Sequence, residues 1–319
     1  MTIFYKTKTL NNLPVHNVFN RTCIFEPVGN EYLAAKDGRD IVYSDTVYKV
    51  SIKGYYLNFS VDYPLFAILV AEYINNRIDG IELPHIVTIP LSKIIDSIGV
   101  AGKGTRDYEF KKIHDGLHRL KNTYLDITNQ KSKENFIGNI IEEKNLDFPN
   151  KTLTVSFGDL IIDLYDNDKH TKSDIAFKDI EKLISLKKEG NIGLYRFIET
   201  QSKGYIDFTL ERLSKVLGYH YRLVKGSKDS TSKTQKLKDS RKRDYIKLIL
   251  ERLKNIGVIT DYRHDKKKDW FRILQTKFYP NVVVGKDILD LPSNITSIKF
   301  DKSTQKKLEQ YEDFDFEKK

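Results

Sequence analysis

Three stretches of the sequence hold residues at spacings that enzymes use. In HDGLH, His114 and His118 stand four apart, so a helix would carry both imidazoles on one face, as zinc proteases do. Asp115 stands where those enzymes place a glutamate base, and no third ligand is evident. In GVAGKGT (Gly99–Thr105), glycines surround a lysine as in phosphate-cradling loops. Yet glycine follows the lysine where Ser or Thr would hold Mg2+, and no buried strand feeds the loop. A rolling-circle nickase needs two histidines flanking one apolar residue, plus a tyrosine nucleophile, and none of the seven histidines has that spacing. The expectation is a protein that neither hydrolyses ATP nor cuts DNA: not an enzyme, with no metal and no cofactor.

Charge points elsewhere. The 319 residues carry a net charge of +10, which suits an acidic partner. Residues 222–272 alone hold 17 Lys and Arg against 7 Asp and Glu, a local excess equal to that of the whole chain. Glu309–Glu317 does the reverse, with five acids and no base. The single cysteine, Cys23, excludes an intramolecular disulfide and a Cys-rich zinc site, and fits the cytoplasm. The N-terminus lacks the pattern of a signal peptide. The longest near-apolar run, Leu65–Ala71, is far shorter than the roughly 20 residues of a membrane helix, so no membrane is expected.

The elements that would position the basic residues occur twice. LHRLKN (Leu117–Asn122) returns as LERLKN (Leu250–Asn255). Upstream, TIPLSKIIDSIG (Thr88–Gly99) matches DFTLERLSKVLG (Asp207–Gly218): a short strand, a two-turn helix and a glycine stop. Further upstream, PLFAILVAEYINNR and NIGLYRFIETQSK each read as an opening helix. Downstream, TYLDIT (Thr123–Thr128) and IGVITDY (Ile256–Tyr262) both read as strands. Helix, strand, short helix, loop, long helix, strand and hairpin is the order of a winged helix, whose second helix of the helix-turn-helix lies in the DNA major groove. The predicted fold class is therefore α+β, two tandem winged-helix domains with β-hairpin wings.

In the first long helix, Thr105–Asn122, Phe110, Ile113, Leu117 and Leu120 share one face. Roughly opposite lie Tyr108, Lys111, Lys112 and Arg119, with Lys103 and Arg106 at the N-terminal entry. A groove-lying helix fits this pattern, and so does a plain solvated one. In the second, Ile246, Ile249, Leu250 and Leu253 form the inner stripe, and SKTQKLKDSRKRD (Ser232–Asp244) is predicted as its cationic, projecting first half. Arg241, Arg243 and Arg106 are the candidates for guanine readout, since a guanidinium can bond O6 and N7 together. Lys225, Lys228, Lys233, Lys236, Lys238 and Lys242 are candidates for phosphate contact. VITDYRHDKKKDWFRI reads as a hairpin carrying Arg263, with Lys266, Lys267 and Lys268 at the tip of the wing. For the first unit, NFIGNIIEE and KTLTVSF are the candidate wing strands, and SDIAFKDIEKLISL (Ser173–Leu186) is read as a connecting helix.

The stretches VTIPLSKIIDSIG…YEFKKIHDGLHRLKNTYLDI, IDFTLERLSKVLG and SRKRDYIKLILERLKNIGVI resemble the plasmid replication initiators with two winged-helix domains, in pattern the TrfA-like group. The resemblance spans roughly Pro64–Ile273 and rests on element order and periodicity. It implies binding of duplex DNA at repeated origin sequences (iterons), opening of an adjacent AT-rich tract, and recruitment of the host helicase. It also implies a self-dimer that represses its own promoter. The alternative is a tandem winged-helix repressor or partition factor without initiation activity.

The outer segments say less. The expected domains are residues 1–63, a β-rich segment packing on the first unit or serving a dimer; 64–160, the first winged helix; 161–189, a linker helix region; 190–285, the second winged helix; and 286–319, a charged tail read as disordered. QYEDFDF (Gln310–Phe316) has a distant likeness to peptides that bind the sliding clamp, without their central leucine. Host helicase, host initiator and sliding clamp complete the expected partners.

Overall fold

The computed structural model describes residues 13–27, 39–98, 106–147, 149–166, 175–178, 186, 189–201, 205–217, 221–224, 233–236 and 239–275. All belong to one compact unit, Met1–Phe278. The chain opens with β1 (Leu13–His16), α1 (Asn17–Arg21), β2 (Phe25–Glu26), the hairpin β3 (Arg39–Ser44) and β4 (Tyr48–Gly54), and β5 (Leu57–Asn58). Then come α2 (Asp62–Ile78), β6 (Ile86–Pro90), α3 (Leu91–Ile98), α4 (Arg106–Lys121), β7 (Thr123–Asn129), β8 (Asn135–Asn139), β9 (Ile141–Asp147), β10 (Thr152–Phe157) and α5 (Asp159–Asp166). After β11 (Ile175–Lys178) follow α6 (Glu189–Ile198), β12 (Tyr205–Thr209), α7 (Leu210–Val216), β13 (Tyr221–Val224), β14 (Lys233–Lys236), α8 (Asp239–Asn255), β15 (Ile259–Asp265) and β16 (Trp270–Gln275).

Two three-stranded antiparallel sheets repeat one plan. Strand order is β6-β10-β9 in the first and β12-β16-β15 in the second, so the returning strand of each hairpin lies between its partner and the strand that precedes the short helix. The match extends to single residues. Thr152 pairs with Pro90 as Trp270 pairs with Thr209. Lys151 and Asp269, each just before the returning strand, both have φ 53°. Their carbonyls accept from the first amides of the short helices, Leu91 N and Leu210 N, each at 2.9 Å. These amides have no partner within their own helix, so the hairpin caps the helix it serves. The chain is α+β with two winged-helix units.

The first unit carries an insertion. The hairpin β7–β8 lies between α4 and the wing and joins the N-terminal hairpin in a four-stranded sheet, β3-β4-β7-β8. TYLDIT is therefore not the counterpart of IGVITDY; the strand equivalent to β15 is β9. Leu125 and Ile127 alternate inward like any half-buried strand, and that alternation does not say which sheet is joined. NFIGNIIEE likewise divides, β8 pairing with β7 and β9 with β10.

Two further expectations change. Residues 175–178 are not helical but form β11, antiparallel to β1, while 179–185 lie outside the described residues. The second long helix starts at Asp239, and Lys233–Lys236 form β14 paired with β13. Within the helix, buried positions recur from Lys242 onward.

Helix α2 is buried nearly all round from Asp62 to Ala71, and Asn58 Oδ1 caps its start by accepting from the Val61 and Asp62 amides at 2.9 and 3.0 Å. The N-terminal segment is stitched to the second unit by Arg196 of α6, which is fully buried. Its guanidinium donates to the carbonyls of Phe19, Thr22, Phe25 and Val216 and lies 4.5 Å over the Phe59 ring. Beside it, a Cβ on Gly193 would come within 2.7 Å of the Phe59 ring, so only glycine lets α6 approach this closely. No described helix is long and apolar enough to cross a membrane.

Candidate nucleic-acid interface

In the second unit, α8 turns Ile246, Ile249, Leu250 and Leu253 into the core. Its C-terminal half is tied to β15 by Lys254 Nζ on Asp261 Oδ1 at 2.7 Å and by the Tyr262 hydroxyl donating to Glu251 at 2.8 Å. The outer face presents Arg241, Asp244, Tyr245, Leu248 and Glu251. Beside it projects the wing, whose tip carries the exposed Lys266, Lys267 and Lys268. Asp265 Oδ1 accepts from the Lys267 and Lys268 amides at 2.8 and 3.1 Å, which fixes the turn and lowers the Asp265 carboxyl pKa. Arg263 is exposed on β15.

Two expected groove cations occupy other places. Lys242 is only 5% exposed, because it stands four residues before Ile246 on the inner face. Its stem extends the apolar stripe, and its ammonium reaches Asp239 at 2.9 Å. Arg243 is half-buried and grips Asp269 with two bonds, Nε at 2.9 Å and Nη2 at 2.8 Å, a pairing that raises its own pKa. Its guanidinium faces the wing rather than standing clear of the helix. Arg241 is exposed in the first turn. Lys233 and Lys236 lie on β14. Lys225, Lys228 and Lys238 lie outside the described residues.

In the first unit, Ile113, Leu117 and Leu120 are buried and Phe110 packs beside them. Lys111, His114 and His118 are exposed and Lys112 half-buried. Arg119, expected on the outer face, is instead 8% exposed and turned toward α2. Its Nε and Nη2 donate to the Asp62 carboxylate at 2.9 and 2.7 Å. Burial pushes that carboxyl above its ordinary range, and Arg119 pulls against the rise. The first turn of α4 carries Arg106 and Tyr108; Lys103 lies outside the described residues.

Four surface residues are not among the expected contacts. Lys144 of β9 lies against α4, donating to the His114 carbonyl at 3.2 Å. Burial first, and then the Lys144 charge, push the His118 imidazole below its ordinary pKa. Trp270 is exposed at the start of β16, next to the wing tip. Its alternation in WFRI predicts the outward side, and its place in KKKDW sets it beside the three lysines. Tyr245 and Leu248 break an otherwise polar helix face and are visible in the sequence once the inner stripe is drawn.

No family model and no curated protein matches the chain. Solved structures do. One, the Pi initiator protein in complex with iteron DNA, is similar with a TM-score of 0.47 and 17% identity over 68% of this chain and 94% of that one. Another, domains 2 and 3 of RctB, has a TM-score of 0.46 and 10% identity over 82% of this chain and 96% of that one.

Proposed function

We propose that the chain binds duplex DNA through two winged-helix heads and initiates replication at repeated origin sequences. The observation that carries the reading is the duplicated architecture: each unit sets a long helix beside a hairpin that caps its short helix, and the second unit holds Arg241, Lys266, Lys267 and Lys268 exposed on that helix and wing. Lys266, Lys267 and Lys268 on the wing meet phosphate, and Arg241 enters the groove from the first turn of α8. Lys111 and Lys112 do the same work on α4. Two heads on one chain enter successive major grooves, about one helical turn apart.

The finer reading follows the sequence resemblance to the TrfA-like plasmid initiators. The site is a set of iterons beside an AT-rich tract, and the protein works in the cytoplasm. The chain opens the duplex without hydrolysing ATP or cutting a strand, and brings in host helicase with the host initiator and, through its tail, the sliding clamp. Dimers hold the promoter.

Footprinting on the DNA that neighbours the coding region is the test. Protection of direct repeats about two helical turns long, near 20 base pairs, beside an AT-rich tract supports initiation. Protection of a lone inverted repeat would replace it with repression. Nicked product from supercoiled plasmid and Mg2+ would overturn the non-enzymatic part.

A further inference from the structure

The outer face of α8 is the surface that a winged helix lays in the major groove, yet its middle is apolar. Tyr245 is 42% exposed and Leu248 47% exposed, three residues apart and therefore neighbours on the helix surface. The core does not require them, since Ile246, Ile249, Leu250 and Leu253 already fill the inner face. The scaffold does not require them either. Aligning LHRLKN with LERLKN sets Lys112 and Asp115 of α4 at the same two positions. Two large exposed side chains, on one copy of a duplicated helix only, offer a contact surface.

The surroundings of that surface identify its occupant. Arg241 precedes the pair by one turn, and Lys266, Lys267 and Lys268 stand on the adjacent wing, so cations frame the apolar patch. Asp244 and Glu251 share the face and repel phosphate, which keeps the middle of the helix over base edges rather than over the backbone. The one apolar group that base pairs offer in the major groove is the C5 methyl of thymine. We infer that Tyr245 and Leu248 read thymine methyls, making the second head a reader of a T-containing half-site. The first head, with Lys111 and His118 outward, reads by charge and hydrogen bonding. This inference rests on the DNA-binding reading above.

The test replaces thymines one at a time with deoxyuridine in the footprinted site. Deoxyuridine keeps every hydrogen-bonding atom and lacks only the methyl. At one or two positions the full-length protein should bind about fourfold more weakly, the loss expected for one buried methyl. Leu248→Ala should bind thymine DNA more weakly by a similar factor and lose its sensitivity to deoxyuridine at one of those positions. Since Leu248 is exposed, its melting temperature should stay at the wild-type value. Equal affinity for thymine and fully uracil-substituted DNA would overturn the inference while leaving specific binding intact. So would Leu248→Ala and Tyr245→Ala variants that bind DNA normally but change self-association, which would make the patch a protein contact. Absence of any sequence-specific binding would instead strike the DNA-binding reading itself.

Discussion

The carboxylate of Asp269 accepts two bonds from the guanidinium of Arg243, at 2.9 and 2.8 Å. The same residue accepts from Leu210 N through its carbonyl and contacts His264 Nε2 at 2.9 Å. One residue in the turn of the wing thus ties together α8, α7 and β15. In the first unit Lys151 supplies the backbone part of this arrangement alone. In the second head a side-chain pair thus joins the wing to the long helix at this point.

That coupling has a pH signature. The Arg243 bond, with help from His264, holds the Asp269 carboxyl down at about 2, against an ordinary value of 3.8. A lowered folded-state pKa contributes stability that is present above the ordinary value and lost as pH falls from there toward 2. Asp269→Asn is the informative variant, because Asn tolerates the positive φ at this position where most side chains do not. The wild-type melting temperature should drop more steeply than that of Asp269→Asn between pH 5 and 2.5 (about the span of this titration). Parallel curves would mean that the pair adds nothing to folding.

Arg241 and the wing lysines should separate by the kind of binding they support. Arg241→Ala is expected to cost about 1–3 kcal/mol on the cognate site and little on random DNA, as for loss of a bidentate base contact. Replacing Lys266, Lys267 and Lys268 with alanine should weaken both kinds of DNA alike and flatten the plot of log affinity against log salt by about three units. Fluorescence anisotropy across a salt series measures both. Equal losses for Arg241→Ala on both DNAs would place it on phosphate.

What the sequence discloses depends on whether a signal is local. The leucine pairs of LHRLKN and LERLKN are legible because a helix repeats its inner face at a fixed period, and Leu117, Leu120, Leu250 and Leu253 are all fully buried. The same period, extended one turn, would also have placed Lys242 inward. The partner of β7 was not legible, since Leu125 and Ile127 alternate identically whether they face a wing or the N-terminal hairpin. Nor were the anchored arginines. Arg119 and Arg243 read as outward cations until their partners arrive from 57 and 26 residues away. Counting cations therefore overstates the groove face by the very residues that hold the heads together.

The buried leucines give a stability prediction independent of DNA. Leu250→Ala or Leu253→Ala should destabilise the second unit by about 2–5 kcal/mol, the transfer cost plus the cavity left behind. Urea denaturation followed by circular dichroism is the measurement. Normal stability in either variant would mean that the helix packs through another face.

Arg119 offers a sharper version, because its role is either structural or DNA-contacting and the two diverge. Arg119→Met leaves the Asp62 carboxylate buried without its cation, and removal of one member of such a pair costs about 3–5 kcal/mol. Asp62→Leu combined with Arg119→Met removes both charges and should recover a large part of that loss. Recovery should be incomplete, since Asp62 also accepts from Asn58 N at 2.9 Å. Gly116→Ala presses on the same spot, its Cβ meeting Asp62 Oδ1 at 3.0 Å and Leu65 at 3.3 Å, and should destabilise the wild type. Once folded, the double variant should bind cognate DNA with wild-type affinity, because the guanidinium it lacks faces α2. A stable double variant that had lost specific binding would return Arg119 to the groove.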